Sequence, residues 1–156
     1  MKFLSFKFLF ILLFPLNSIS KEAIVFSQTF SDLVVKVAQT EEEKKKGLMF
    51  VNKLTQSNGL LLIYKKPKIV KIWMHNTQIP LDLIFINEQN KVILIKKGKP
   101  FSKKIISSIT PVIGVLEIPQ GCAEKLDISL GDKTSWRLVN KSQLKNNRYY
   151  HCLDHF

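Results

Sequence analysis

Two carboxyl residues occupy positions where an ionised group is costly unless it has a partner. Asp82 precedes the apolar run at residues 83–86, and Glu117 lies within the apolar run at residues 112–118. A carboxylate desolvated in this way needs hydrogen-bond donors or a cation, or its pKa rises. Asp82 and Glu117 are therefore candidate catalytic residues, because two neighbouring carboxyls can serve as acid and base. In the structural alternative, Asp82 accepts bonds from nearby amides and Glu117 faces solvent.

Aromatic, apolar and amide side chains stand close together just before the apolar run at residues 83–86 begins. The candidate ligand-binding residues are Trp73, Met74, Asn76, Thr77 and Asp82. In a pocket wall, Trp73 would supply a stacking surface, and Asn76 and Thr77 would supply hydrogen bonds to a ligand. The alternative is a turn, since Asn and Thr side chains often bond nearby backbone groups, with Trp73 belonging to the core.

Metal-capable side chains occur at His75 and in the C-terminal segment. The latter are His151, Cys152, Asp154 and His155. His75 stands alone among polar neighbours, so we expect an exposed loop residue, and we expect only adventitious metal binding in the tail. The sequence contains no glycine-rich phosphate loop, nucleophile elbow, CxxC pair or HExxH helix. We therefore expect no cofactor and no resident metal.

The N-terminus has the pattern of an export signal. Lys2 and Lys7 give a positive n-region before a short apolar stretch at residues 8–16, and Ser18 and Ser20 place small residues before a cleavage point after Ser20. The alternative is an N-terminal membrane anchor, but the stretch is shorter than the roughly 20 residues that a span requires. We expect an exported protein, periplasmic or extracellular.

Cys122 and Cys152 are the only cysteines in the chain. An oxidising compartment would allow them to form a disulfide. Cys152 lies in a polar tail, however, and the sequence does not show whether the two Cα atoms come within bonding range. The paired and unpaired states both stay open.

The chain is strongly basic, with a formal net charge of +12 at pH 7. Nearly all of its cations are lysines, since Arg137 and Arg148 are the only arginines. Arginine is preferred for bidentate recognition of phosphates and bases, and export removes the usual partner, so we expect no nucleic-acid binding. A solvated surface explains the lysines without a partner, and peripheral contact with an anionic envelope surface is the functional alternative.

Short runs rich in Ile, Val, Leu and Phe, bounded by turn residues, predict strands. They cover residues 23–27, 33–38, 59–64, 69–74, 83–86, 92–95, 112–118 and 134–139. Thr40 and Glu43 form a capping box before a short helix at residues 44–49, and a second helical turn could cover residues 120–126. Strands without long helices between them predict antiparallel pairing in a compact, mainly β sandwich or barrel.

The predicted organisation has three parts. A leader covers residues 1–20, a single β-rich domain covers residues 21–139, and a polar, mobile tail covers residues 140–156, where the strand pattern disappears. We expect a monomer.

Four sequence elements resemble those of domain-of-unknown-function family 192 (DUF192). They are Gly47-Leu48-Met49, the run IWMHNTQIPLD at residues 72–82, Val115-Leu116-Glu117 followed by Gly121, and Gly131-Asp132. The resemblance extends over about residues 33–139 and implies a jelly-roll-like β sandwich, usually preceded by an export signal. It implies no established activity. His75 and Val51 stand where the family commonly has Lys and Arg, so we expect no role here that needs a permanent positive charge at either position.

Dense motifs without a catalytic signature favour a binding or accessory module of the cell envelope, whose partner is a small molecule, a glycan or an envelope protein. The alternative is a hydrolase or isomerase that uses Asp82 and Glu117 as acid and base, with Asn76 or Thr77 orienting the substrate. A third account assigns these residues to folding alone. The accounts differ in whether Trp73, Asn76, Asp82 and Glu117 line one open concavity.

Cleavage of the leader is testable by mass. If the signal is removed after Ser20, intact-mass measurement of the exported protein will return the mass of residues 21–156. A mass that still includes residues 1–20 would contradict cleavage and support the anchored alternative.

Overall fold

The computed structural model describes residues 21–30, 32–54, 58–144 and 152. This part of the chain is mainly β, which confirms the predicted fold class. Its elements are β1 (Glu22–Ser27), β2 (Leu33–Ala38), α1 (Glu41–Lys46), β3 (Leu60–Lys68), β4 (Lys71–Ile72), β5 (Leu81–Ile86), β6 (Val92–Gly98), β7 (Ile106–Ser107), β8 (Val112–Pro119), α2 (Cys122–Lys125), β9 (Thr134–Val139) and α3 (Lys141–Leu144).

Seven strands form one curled sheet in the order β6-β5-β8-β3-β2-β1-β9. Its two edges approach each other at an isolated antiparallel bridge between Lys91 and Lys133, which directly precede β6 and β9. The sheet is therefore a half-barrel. Of the two predicted architectures, sandwich and barrel, it corresponds to the barrel. A separate two-stranded ribbon is formed by β4 and β7.

Both faces of the curled sheet are apolar. Side chains alternate between the faces along each strand, and buried residues occupy successive positions in β5 and β8. One face carries a core cluster that includes Ile84 and Leu116 and draws side chains from all seven strands. The other face carries Phe85 and Val115, and it is covered by the ribbon and by the segment that follows α1. Burial on both faces explains why the sequences of β5 and β8 are nearly continuous apolar runs rather than alternating ones.

The predicted capping box is confirmed at the start of α1. The Thr40 hydroxyl accepts a hydrogen bond from the Glu43 amide at 3.1 Å, and the Glu43 carboxylate accepts one from the Thr40 amide at 2.9 Å. The connection that contains α1 joins β2 to β3, which pair in parallel. The prediction of antiparallel pairing is wrong at this pair, because a connection of this length can carry the chain back to the same end of the sheet.

The strand predicted at residues 69–74 is much shorter in the structure. Only β4 pairs regularly, and its partner is β7 rather than a strand of the main sheet. On either side of β4, the Val70 amide donates to the Ser108 hydroxyl at 2.9 Å and the Met74 amide donates to the Ser102 carbonyl at 3.0 Å. These bonds hold irregular backbone in place beside the ribbon, which becomes one wall of the site described below.

A disulfide joins Cys122 at the start of α2 to Cys152, with a Cα–Cα distance of 5.8 Å. Cys152 is fully buried, and its amide donates a hydrogen bond to the Asn58 side-chain oxygen at 3.0 Å. The tail predicted to be mobile is thus anchored to the domain at this residue. The other metal-capable tail residues, His151, Asp154 and His155, lie outside the described residues.

The leader also lies outside the described residues, so its assignment stays a prediction. Within the described ranges, none of the helices has the length and apolar character needed to cross a bilayer.

Loss of the disulfide should destabilise the fold. Replacing both Cys122 and Cys152 by Ala is expected to lower the free energy of unfolding by about 3–4 kcal/mol, because the bond restricts the unfolded chain. The linked residues are 30 positions apart in sequence. Urea unfolding of the double variant and the wild type measures the difference, and reduction of the wild type should reproduce it. Equal unfolding free energies for all three forms would contradict a stabilising bond.

Candidate functional site

An open cleft of about 380 Å³ lies between α1 and the ribbon. One side is formed by α1 and the Gly47–Met49 segment, and the other by the end of β3 and by β4. Trp73, Met74 and Thr77 also line it, and Glu117 reaches it from β8. The structure therefore brings together three of the five predicted ligand-binding residues and one of the two carboxyl candidates.

Glu117 is the buried ionisable group of the cleft, and its side chain is only 5% exposed. Its register partners are Leu60 on β3 and Leu83 on β5, so apolar strand neighbours flank it on both sides. Burial raises the pKa of Glu117 from 4.5 to about 7, and no cation or hydrogen-bond donor among the described residues offsets this effect. Near neutral pH the carboxyl can therefore exist in either form, as a hydrogen-bond donor or as an acceptor only.

Gly47 carries the chain from α1 across the Glu117 carboxyl. Its backbone angles are φ 50° and ψ −133°, a conformation that residues with a Cβ rarely adopt. A Cβ built on Gly47 would lie 3.8 Å from Oε2 of Glu117. The glycine therefore permits the turn after α1 and keeps the backbone close to the buried carboxyl.

A tyrosine and several lysines line the cleft, and they come from both of its walls. The Nζ atoms of Lys44 and Lys68 lie 4.7 Å and 5.7 Å from the centroid of the Tyr64 ring. Lys44 also forms an ion pair with Glu41, with an N–O distance of 2.6 Å. Burial, and then the charge of Glu117, raise the pKa of Tyr64, so its phenol stays protonated. Further lysines that line the cleft are Lys45, Lys46 and Lys71.

Trp73 stands at the rim of the cleft. Its side chain is 42% exposed, and its ring centroid lies 4.9 Å from that of His75. The next residue, Met74, is buried against Gly98, where an added Cβ would lie 2.6 Å from the Met74 sulfur. Trp73 also lines a second, shallower depression together with His75 and Met49. The indole therefore offers an accessible aromatic surface.

Asn76 and Thr77 form a turn, as the structural alternative predicts. Asn76 has a φ of 57°, and its carbonyl accepts a hydrogen bond from the Phe50 amide at 2.9 Å. The Thr77 amide donates to the Met74 carbonyl at 3.0 Å. Thr77 is buried and lines the cleft, whereas Asn76 is not among the lining residues. Asn76 therefore has a backbone role in the structure, and Thr77 combines a turn position with a place at the cleft.

Asp82 lies on the other side of the sheet from the cleft. Because Leu83 pairs with Glu117, Asp82 and Glu117 project from opposite faces. Oδ2 of Asp82 accepts hydrogen bonds from the amides of Gly121 at 2.8 Å and Ala123 at 3.0 Å, at the start of α2. The sheet separates the two carboxyls, so they cannot flank one substrate as an acid/base pair. Asp82 matches the structural alternative instead.

Metal binding has no visible basis in this region. Among the described residues, no group of three His, Cys, Asp or Glu side chains is arranged to hold a metal ion. His75 is half-buried beside Trp73 rather than fully exposed in a loop.

Sequence reasoning missed Tyr64, Lys44 and Lys68. A signal for Tyr64 existed, because Leu60, Leu62 and Tyr64 share one face of β3 by simple alternation. Only the register between β3 and β8, with Leu60 opposite Glu117, shows that this face carries the buried carboxyl.

Residues 23–136 match the family DUF192, described as an uncharacterized ACR. This chain belongs to the DUF192 family. Three of the sequence elements that suggested the resemblance meet at the cleft of this DUF192 protein, through Gly47, Trp73 and Glu117. A fourth element, Gly131-Asp132, lies elsewhere, where the Asp132 carboxylate accepts a hydrogen bond from the Ser129 amide at 2.8 Å.

Two solved structures share the fold of this DUF192 domain. A protein of unknown function from Novosphingobium aromaticivorans DSM 12444 is 31% identical, with a TM-score of 0.68, over 79% of this chain and 90% of that chain. A protein from Sinorhizobium meliloti 1021, described as a "putative transcription regulator", is 29% identical, with a TM-score of 0.68, over 75% of this chain and 93% of that chain. No curated protein matches the chain.

The buried carboxyl predicts a specific pH dependence of stability. The folded protein holds the Glu117 proton up to about pH 7, whereas the unfolded chain releases it near pH 4.5. Stability should therefore fall as the pH rises between these values and level off above them, and a pKa difference of this size corresponds to about 3 kcal/mol.

Urea unfolding at several pH values, for the wild type and Glu117→Gln, isolates this contribution. Groups other than Glu117 titrate in both proteins, so their contributions cancel when the two unfolding free energies are subtracted. The stability of the wild type relative to Glu117→Gln should therefore fall by about 3 kcal/mol from pH 4.5 to pH 7. Superimposable profiles would contradict a raised pKa for this carboxyl.

Proposed function

We propose that this protein is an exported binding module of the cell envelope whose cleft holds a small polar ligand with a ring surface and an anionic group, such as an acidic sugar. The observation that carries the proposal is the convergence of Trp73, Thr77 and Glu117 on one open cleft. The cleft volume of about 380 Å³ lies in the range that small-molecule sites usually occupy.

The wall residues supply complementary interactions for such a ligand. The exposed indole of Trp73 offers a ring surface for stacking. The hydroxyl groups of Tyr64 and Thr77 and the carboxyl of Glu117 offer hydrogen bonds, which gain strength where the surroundings exclude water. Lysines at the mouth of the cleft, including Lys68 and Lys71, attract an anionic group. Together these residues favour a ligand that has both an anionic group and a ring.

An enzymatic alternative depends on Glu117 alone. A carboxyl with a pKa of about 7 in an open cleft is suited to proton transfer near neutral pH. The hydrolase or isomerase version of the proposal therefore keeps Glu117 as the acid or base and assigns no chemical role to Asp82, which is held by the α2 amides.

A titration of the purified protein with a panel of neutral and acidic sugars and small carboxylates tests the binding proposal. We expect acidic members to bind and to bind more weakly as salt increases. Trp73→Ala should weaken that affinity by about tenfold through loss of the stacking surface. Glu117→Gln should alter the pH dependence of binding between pH 5 and 8, a range that spans the pKa of about 7. Conversion of a bound compound would favour the enzymatic alternative.

Leu138→Ala provides the matched control, because Leu138 is 51% exposed on β9 and does not line the cleft. Its affinity should equal that of the wild type. If no compound binds, or if Trp73→Ala binds as well as Leu138→Ala at equal stability, the cleft is not the binding site and the proposal fails.

A further inference from the structure

Exposed apolar side chains are concentrated on one side of the domain. Nine large hydrophobic residues are exposed in the part of the chain that the structure describes, and six of them lie next to the ribbon strands or are bonded to the turn that follows β4. We name these six the apolar ridge: Phe50, Ile69, Trp73, Phe101, Ile105 and Ile109. Clusters of exposed apolar residues of this kind mark interaction surfaces.

Backbone hydrogen bonds bring the segments of the ridge together. The amide of Phe50 donates to the carbonyl of Asn76 at 2.9 Å, and the amide of Phe101 donates to the carbonyl of Thr77 at 3.0 Å. Phe50 and Phe101 therefore flank the same turn, although they are far apart in sequence. Both are highly exposed, at 71% and 63% respectively.

The ribbon extends the same surface. Ile72 pairs with Ile106, so their neighbours Trp73 and Ile105 directly follow β4 and precede β7 at the same end of the ribbon. Farther along, the Ser108 amide donates to the Val70 carbonyl at 2.9 Å, so Ile69 and Ile109 lie next to this contact. The ridge is thus one continuous feature built from three chain segments.

Three ridge residues are held in an unfavourable backbone conformation. Phe50, Phe101 and Ile109 have φ values of 62°, 58° and 65°. Positive φ is rare for bulky side chains, and for β-branched Ile it is a marked outlier. The strain gains no compensating burial within the domain, since Ile109 is 73% exposed. Bulky side chains held outward in this way suit contact with something outside the domain.

Cations outnumber anions around the ridge, where Glu41 and Glu42 of α1 are the acidic residues that lie near Ile69 or Trp73 among the described exposed residues. The sequence has no Asp or Glu between Lys44 and Leu81, and none between Gln89 and Leu116. These stretches contain all six ridge residues. Exposed lysines accompany them at positions 53, 71, 99, 103 and 104. The surface around the apolar side chains is therefore predominantly cationic, and most strongly so around Phe101, Ile105 and Ile109.

We propose that the apolar ridge docks on an anionic lipid bilayer, with Phe50, Phe101 and Ile109 entering the boundary between headgroups and acyl chains and the lysines contacting lipid phosphates. Apolar side chains surrounded by cations are the pattern that binds such surfaces. A second copy of the chain fits poorly, because two cationic ridges would repel each other. Protein interface cores are depleted of lysine and enriched in arginine, and the described Arg137 lies on β9, outside the ridge.

This inference does not depend on the ligand proposal. It does have a consequence for the cleft, because Ile69 and Trp73 belong both to the ridge and to the cleft lining. Docking would place the mouth of the cleft at the lipid surface, where molecules of the envelope are presented.

Vesicle binding tests the proposal. The protein is used in the form in which it is isolated after export, and every variant has the same N-terminus. A Trp136→Phe background leaves Trp73 as the reporter, since the chain has two tryptophans. Vesicles of phosphatidylglycerol and phosphatidylcholine should shift the Trp73 emission to shorter wavelength and sediment the protein. Phosphatidylcholine vesicles should do so much less, and added salt should weaken the effect.

The decisive variant is Phe101→Asn/Ile109→Asn. Asn tolerates positive φ, so this variant should fold at least as well as the wild type. We expect its affinity for the anionic vesicles to fall by about tenfold or more, through loss of inserted apolar surface. Lys103→Gln/Lys104→Gln should reduce both the affinity and its dependence on salt. The matched control is Leu130→Asn/Leu138→Thr, which removes two exposed apolar side chains outside the ridge and should bind as the wild type does.

Several results would overturn the proposal. They are an unchanged Trp73 emission with anionic vesicles, equal binding by the ridge and control variants, or equal binding to neutral and anionic vesicles. Concentration-dependent dimerisation that the ridge variant abolishes, without a Trp73 shift on vesicles, would identify the ridge as a protein interface instead.

Discussion

β8 is an interior strand of the curled sheet, between β5 and β3, and its burial on both faces constrains the surrounding structure. Alternation sends Leu116 and Ile118 into the core enclosed by the curl and leaves Glu117 facing α1. An anion is unfavourable at that position, and the pKa of Glu117 rises accordingly. The second face is covered by separate pieces, α1 with its following turn and the ribbon, and the carboxyl lies in the cleft between them.

Three of the four family elements of this chain contribute to two physical tasks. Asp82 and Gly121 meet on one side of the sheet, where the carboxylate satisfies amides at the start of α2. Gly47, Trp73 and Glu117 meet on the other side and shape the cleft. The ribbon links this cleft to the apolar ridge, because Trp73, which directly follows β4, belongs to both. The next residue, Met74, is buried and anchors this backbone. The proposed ligand site and the proposed docking surface therefore share the same short stretch of backbone.

Much of the fold followed from local sequence signals. The strands predicted at residues 33–38 and 134–139 have the observed bounds of β2 and β9, because short runs with β-branched and aromatic residues, bounded by turn residues, are typical of strands. The capping box at Thr40 and Glu43 is likewise a local interaction. The prediction failed at residues 69–74, where an apolar run of strand type pairs only briefly and outside the main sheet. Pairing partners are not encoded in the run itself.

By itself, the sequence determined the β character of the chain, its basic charge, the helix cap and the set of residues worth testing. Tertiary structure decided how those residues combine. A strand shows its two faces by alternation, but only the pairing of Leu83 with Glu117 shows that Asp82 and Glu117 point apart. The parallel pairing of β2 with β3, the bond between Cys122 and Cys152 and the approach of Tyr64 to the carboxyl are equally long-range. Such contacts depend on register and on the path of the chain, which local composition does not specify.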